Sequence, residues 1–144
     1  RFVMAEINLL EKSHFAWTDL KLPNKAMMAA GFNVWCCVLE YEGKWFAIGG
    51  RKQSADIELE TTIVHKGGKL QALAAGNDFL CKYETHEAAS KLGRWRQERP
   101  TPKQRQWLPS QFKGKHITKG DASAILTYSM QAYGEIKHAL SSVA

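Results

Sequence analysis

The sequence has no long run of apolar residues. Its longest candidate, residues 26–38, is interrupted by Gly31 and Asn33, and it falls short of the ~20 consecutive apolar residues that a membrane-spanning helix needs. This segment is typical of a buried strand or core, so we expect no membrane partner. Apolar residues make up 44% of the chain and charged residues 24%, which favours one folded domain, or one domain with a small appendage, over disorder.

Cysteine is scarce, and the three cysteines present do not form a disulfide or metal pattern. Cys36 and Cys37 are adjacent, so in a strand their side chains point to opposite faces, and Cys81 is far away in the sequence. Five scattered histidines also lack metal-ligand spacing. We therefore expect no metal, and buried free thiols in an intracellular, reducing compartment. The sequence does not distinguish mitochondria, nucleus and bacterial cytoplasm.

Motifs for catalysis and nucleotide binding are missing as well. The pairs Gly49-Gly50 and Gly67-Gly68 are each followed by a basic residue, but neither belongs to a Gly-x-x-x-x-Gly-Lys-Ser/Thr loop. Turn glycines are the simpler interpretation. We predict no catalytic residues, no cofactor and no enzymatic activity for the chain by itself.

What the sequence does have is a local excess of positive charge. Residues 91–119, called the basic segment below, hold nine Lys or Arg against one acid, Glu98. The segment therefore has a net charge of +8, whereas the formal net charge of the whole chain is +6. The rest of the chain is therefore slightly acidic, although the pI is near 9.3. Such local basicity is typical of a surface that binds a polyanion. The alternative is a solvated, charged surface around a linker.

We assign nucleic-acid binding to side chains of the basic segment. Lys and Arg neutralise phosphates and displace counterions, and Arg donates paired hydrogen bonds to phosphate. Trp95 and Trp107 either stack on bases or anchor the segment against the core. A helix beginning after Thr118 offers its N-terminus as a further phosphate site. The candidate residues are Arg94, Trp95, Arg96, Arg99, Lys103, Arg105, Trp107, Lys113, Lys115 and Lys119.

Apolar periodicity predicts the secondary structure. Helical spacing occurs over residues 2–12, from 69 to about 83 with an interruption at 76–77, over 86–93 with Thr85 as N-cap, over 103–108, and over 119–140. Strand patterns occur over residues 15–22, 33–41, 44–48 and 55–65. Glu42-Gly43 is a hairpin turn, and Thr118 with Asp121 has capping-box spacing.

These elements predict an α+β fold. We expect a small, mostly antiparallel sheet of three to four strands, with helices covering one face. A short helix-extended-helix C-terminal module follows it. We divide the chain into an α+β scaffold domain, a basic linker and this module, at residues 1–93, 94–101 and 102–144.

Two motifs carry a resemblance to a known family. Residues 95–108 (WRQERPTPKQRQWL) and 117–125 (ITKGDASAI) resemble the C-terminal accessory region of superfamily 2 DEAD/DEAH-type helicases, such as fungal mitochondrial branch-migration helicases and related bacterial and phage proteins. Residues 13–17, the hairpin containing Trp45 and residues 74–80 are similar too, so the likeness extends over most of the chain. Two departures stand out: Pro109 follows Leu108 where the family helix continues, and the ATPase core is absent from this chain.

The resemblance implies a non-catalytic module that helps an ATP-dependent helicase grip duplex or branched DNA. It favours DNA over RNA, and it implies helicase motor domains, in cis or in trans, as partners. An alternative function is a protein-docking module that holds a helicase core or a partner protein through an exposed sheet face with Trp35 or Trp45.

Overall fold

Five antiparallel strands form the centre of the computed structural model, which describes residues 3–143 apart from the side chain of Ala88. The strands follow one another across the sheet in chain order. Their bounds are β1 Thr18–Asp19, β2 Met27–Ala30, β3 Val34–Tyr41, β4 Lys44–Arg51 and β5 Thr62–Gly67. The α+β class is confirmed, and the antiparallel sheet has five strands where the sequence predicts three or four.

The β3–β4 hairpin is confirmed. Its strands pair from Val34 opposite Arg51 to Tyr41 opposite Lys44. Both turn residues have positive φ, 50° at Glu42 and 77° at Gly43, as the two-residue turn that matches strand twist requires.

The other strands differ from their predictions. β1 is only two residues long. β2 lies within residues 26–38, which the sequence predicts as buried strand or core but not as a separate strand; its pairing with β3 fixes it. β5 begins at Thr62 rather than at residue 55. Ile57 and Leu59 pack against the core while Glu58 and Glu60 are exposed. The alternation of apolar and polar residues here therefore reflects burial of one side of the segment, without the hydrogen bonds that pair a strand with its neighbour.

Helices α1 (Met4–Lys12) and α2 (Lys69–Tyr83) cover one face of the sheet. The predicted first helix is confirmed over Met4–Lys12; Val3 is its extended N-cap, and Phe2 lies outside the described residues. α2 continues through Gly76 without the predicted interruption. The glycine at this position lets the helix approach the sheet closely. A Cβ on Gly76 would lie 3.0 Å from Cys36 Sγ and 3.1 Å from the Trp17 ring.

The opposite face is covered by the C-terminal helices α4 (Lys119–Thr127) and α5 (Tyr133–Ser141), and α3 (Pro102–Trp107) packs on α4. A π-helical turn, Tyr128–Ala132, joins α4 to α5 without a break. Ile125, Ile136 and Leu140 share a core cluster with Trp35, Cys37 and Ile48 of the sheet. Helices therefore lie on both faces of the sheet, where the sequence predicts one covered face. The division at residues 93 and 101 stays a prediction.

The predicted helix over residues 86–93 is wrong. The structure has only a short 3-10 turn there, Glu87–Ala89, and another at Arg94–Gln97. The Arg96 side chain donates hydrogen bonds to the carbonyl oxygens of Ala89 and Ser90. A continuing helix would need those oxygens for its own N–H groups.

Candidate nucleic-acid interface

Four buried side chains hold the basic segment against the rest of the molecule. Arg96, Pro100, Leu108 and Phe112 are buried. The turn Arg94–Gln97 and helix α3 both pack on α4. The segment is therefore fixed along one helix at several points between residues 94 and 119.

Arg96 is a structural residue in this arrangement. It is predicted as a phosphate ligand, but only 4% of its surface is exposed. Its Nη2 donates to the carbonyl oxygens of Ala30 (3.1 Å) and Ala89 (2.6 Å), and its Nε donates to that of Ser90 (3.0 Å). Because its donors are engaged inside the protein, Arg96 is not placed to contact a phosphate.

Charged side chains act on this guanidinium. Burial lowers the pKa of Arg96 below its ordinary value, while Asp121 and Glu84 oppose that shift. Glu84 is itself buried, and its carboxylate accepts from the backbone N–H groups of Asn33 (2.9 Å) and Val34 (3.2 Å). Burial also lowers the pKa of Lys52. Arg96 and Glu84 thus tie the residues after α2 to the β2–β3 turn.

Six of the nine basic side chains of the basic segment are exposed to solvent. Within the described residues 3–143, none of the six has a side-chain hydrogen bond or an ion pair. They lie between the buried anchors along the segment, so the backbone beneath them is held while their charges face solvent. The six residues are Arg94, Arg99, Lys103, Arg105, Lys113 and Lys115.

Lys91 and Lys119 have intramolecular partners. The ammonium group of Lys91 donates to the carbonyl oxygens of Leu10 and Glu11 at the end of α1. Lys119 Nζ lies 3.5 Å from the carboxylate of Glu98, the one acid of the basic segment. Both charges are therefore partly satisfied within the chain.

The N-terminus of α4 is also occupied. Thr118 is the predicted N-cap, and its Oγ1 accepts from the N–H of Asp121 (3.2 Å). The Asp121 carboxylate accepts hydrogen bonds from the Thr118 N–H (3.5 Å) and from the Thr18 hydroxyl (3.0 Å). A carboxylate already stands where the sequence predicts a phosphate site, and this weakens that hypothesis.

The two tryptophans of the segment have different environments. Trp95 is half-buried, its ring centroid 5.6 Å from that of Phe32 and 4.6 Å from Arg96 Cζ, as an anchor would be. Trp107 is 54% exposed at the end of α3 and is available for stacking.

Thr101 begins α3 with a capping box to Gln104.

Sequence reasoning missed the aromatic neighbours of Trp95. Phe32 is 39% exposed in the β2–β3 turn, and its ring lies 4.7 Å from that of His86. These two residues are more than fifty positions apart in the sequence, so only the folded chain brings them together. A lone Phe in a turn after Gly31 is too weak a signal to find this group.

In the described part of the chain, the two tryptophans predicted for a docking face of the sheet are not fully exposed. Trp35 is fully buried and Trp45 is half-buried, because helices cover both faces. The predicted alternative, a protein-docking surface on an exposed sheet face, is therefore wrong in placing Trp35 on such a surface.

No group of three or more His, Cys, Asp or Glu side chains in residues 3–143 is arranged to hold a metal ion. No helix in that range has the length and apolar character needed to cross a bilayer.

The chain belongs to a helicase-associated family. The model of the family described as mitochondrial helicase Irc3, C-terminal domain, matches residues 3–141, which is nearly the whole chain and includes the basic segment. No significant match was found among curated proteins or among solved structures. The resemblance to a helicase C-terminal accessory domain is thereby confirmed.

Proposed function

We propose that this chain is a non-catalytic accessory domain that grips duplex or branched DNA for a helicase. The observation that carries the proposal is the set of six exposed, unpaired cations on an anchored backbone. The family supplies the helicase context. The grip on nucleic acid is our inference from charge and geometry.

Anchoring matters for affinity. A flexible basic linker loses conformational entropy when it binds, whereas a segment already held by Arg96, Pro100, Leu108 and Phe112 loses less. Each exposed Lys or Arg that meets a phosphate releases counterions, and this contribution does not depend on base sequence. We therefore propose phosphate contacts by the six exposed cations, with smaller contributions from Lys119 and from stacking by Trp107. Trp95 acts through its packing.

The family description also bears on partners and location. We propose helicase motor domains as the partner, in cis or in trans, and DNA as the preferred nucleic acid. A family named for a mitochondrial helicase favours mitochondria among the intracellular locations that the sequence leaves open. The free, buried thiols of Cys36 and Cys37 fit a reducing compartment.

Binding measured by fluorescence anisotropy tests this function. The substrates are duplex DNA, forked DNA, single-stranded DNA and RNA. The variant Arg94→Ala/Arg99→Ala/Lys103→Ala/Arg105→Ala removes four exposed charges of the basic segment. A matched control, Lys12→Ala/Lys44→Ala/Lys82→Ala/Lys137→Ala, removes four exposed charges elsewhere.

We expect wild type and control to bind duplex and forked DNA with similar affinity. The basic-segment variant should bind at least ~10-fold more weakly at moderate salt. Equal losses in the two variants would show that total charge alone drives binding. Absence of binding by the wild type at low salt would contradict the proposal.

A second candidate function is docking on the motor domains through α1. Its N-cap Val3 is 61% exposed, Met4 is 69% exposed and Ile7 is 37% exposed, and neighbouring exposed apolar residues can mark a protein–protein contact. Binding to the motor domains that resists salt and is lost in Met4→Glu/Ile7→Glu would favour this candidate. Binding to the motor that is unchanged in that variant would count against it.

A further inference from the structure

A cavity lies on the side of the molecule where β1 and β2 meet the first turns of α2. Its volume is about 430 Å³, within the range of about 300–1,000 Å³ that is common for ligand-binding clefts. Trp17 and Trp45 provide its aromatic walls. Its charged rim consists of Lys21, Lys25, Lys69 and Asp19.

The aromatic walls are well suited to a flat ring. Both indoles are half-buried, so part of each remains accessible. Lys69 Nζ lies 5.1 Å from the ring centroid of Trp45 and pairs with the Glu6 carboxylate at 3.4 Å. Within the described residues, Trp17 Nε1 is buried without a hydrogen-bond partner.

The rim carries an excess of positive charge. Asp19 Oδ1 accepts the backbone N–H of Lys21 (2.7 Å), and Lys69 is paired with Glu6. The ammonium groups of Lys21 and Lys25 are exposed and have no hydrogen bond or ion pair within residues 3–143. Both residues have left-handed backbone, with φ of 53° and 52°. The connection between β1 and β2 thus brings two unpaired lysines to the rim of the aromatic cavity, within the described residues.

We propose that this cavity binds one unstacked nucleotide of a single-stranded nucleic acid. The base packs against Trp17 and Trp45, and the adjoining phosphates contact Lys21 and Lys25. Single-strand binding sites combine these two features, aromatic surfaces for bases and cations along the backbone. The inference rests on the proposed function and extends it, because it adds a strand-selective contact to a grip based on phosphate charge.

An acidic protein segment is the less suitable occupant. A peptide that docks at a sheet edge gains most of its affinity from ladder hydrogen bonds. The edge strand here, β1, has only two residues, so it offers little of that pairing. A base packs directly on the half-buried indoles of Trp17 and Trp45, which line the cavity.

Photocrosslinking of 5-iodouracil-substituted oligothymidine to the wild-type chain tests the proposal most directly. The crosslinked peptides are identified by mass spectrometry after trypsin digestion. We expect crosslinks in residues 13–21, which contain Trp17, or in residues 45–51, which contain Trp45. Crosslinks confined to peptides with Trp95 or Trp107 would overturn the proposal while leaving the proposed function intact.

Affinity measurements give a second test that separates the two ideas. Lys21→Ala/Lys25→Ala should bind oligothymidine roughly fivefold more weakly than wild type and blunt duplex DNA less than about twofold more weakly. Lys82→Ala/Lys137→Ala removes equal charge from exposed sites outside the cavity and should behave like wild type. The basic-segment variant should lose affinity for both substrates.

One result of the affinity measurements, and one of a separate acetylation-protection experiment, would count against the cavity. Equal losses of single-strand and duplex affinity in Lys21→Ala/Lys25→Ala would mean that the two lysines act only through general charge. Protection of Lys21 and Lys25 from acetylation by polyglutamate, but not by oligothymidine, would indicate an acidic protein partner instead.

Discussion

Replacing Arg96 by Ala should destabilise the protein severely, whereas replacing Arg94 by Ala should not. The two residues are neighbours in the same turn and contribute identical charge to the sequence. Arg94 is exposed, while Arg96 is 4% exposed and donates to three carbonyl oxygens. The pair therefore separates a structural role from a surface role within one motif.

The size of the effect follows from the lost hydrogen bonds. A hydrogen bond with a charged donor contributes about 1.5–3 kcal/mol, and its loss leaves a buried acceptor unpaired. Water reaches part of the vacated space, so the three losses do not add fully. We expect Arg96→Ala to lose ~3–5 kcal/mol of unfolding free energy, a large part of the 5–15 kcal/mol that is typical of whole domains. Arg94→Ala should stay within about 0.5 kcal/mol of wild type.

Urea denaturation followed by tryptophan fluorescence measures this difference. With a slope of about 2 kcal/mol per molar urea, the midpoint of Arg96→Ala should fall by roughly 1.5–2.5 M. Arg96→Lys keeps the charge but not the planar set of donors, so it should fall between Ala and wild type. The reasoning would be refuted by an Arg96→Ala midpoint that matches that of Arg94→Ala.

Other perturbations test the packing and the electrostatics. Glu84→Gln should cost about 1–2 kcal/mol in the same urea assay, because an amide accepts the backbone N–H groups of Asn33 and Val34 less strongly than a carboxylate. Gly49→Ala should cost roughly 2 kcal/mol, since a Cβ there would lie 2.5 Å from a phenyl carbon of α2. The control Gly134→Ala meets nothing within 4 Å and should gain up to ~1 kcal/mol of helix propensity. Cys81 is the exposed thiol, and burial and then Asp78 raise its pKa above 9.0. Less thiolate is therefore present at neutral pH; labelling by a thiol reagent should accelerate as the pH rises and should be faster in Asp78→Asn.

Local signals predicted the elements whose residues agree with their environment. The β3–β4 hairpin combines β-branched and aromatic residues with a Glu42-Gly43 turn, and the start of α4 has a Thr118 cap. In these places the sequence near each residue decides its conformation. The class of fold followed from these elements.

Long-range contacts decided what the sequence could not predict. Arg96 has the same local signals as Arg94, and its burial depends on the carbonyl oxygen of Ala30, which is 66 positions away. Strand β2 exists because of its pairing with β3, against the weak propensity of Met and Ala. The second covered face of the sheet likewise depends on how the C-terminal helices pack. Charge composition located the basic segment, but the structure was needed to separate exposed cations from buried ones.

The salt dependence of duplex DNA binding tests the central claim most directly. Each phosphate contact contributes about −0.9 to the slope of log affinity against log salt concentration. If the exposed cations of the basic segment make the contacts, the variant Arg94→Ala/Arg99→Ala/Lys103→Ala/Arg105→Ala should have a slope about 3 to 4 units shallower than wild type. The control lacking four lysines elsewhere should keep nearly the wild-type slope. An unchanged slope in the basic-segment variant would contradict the account.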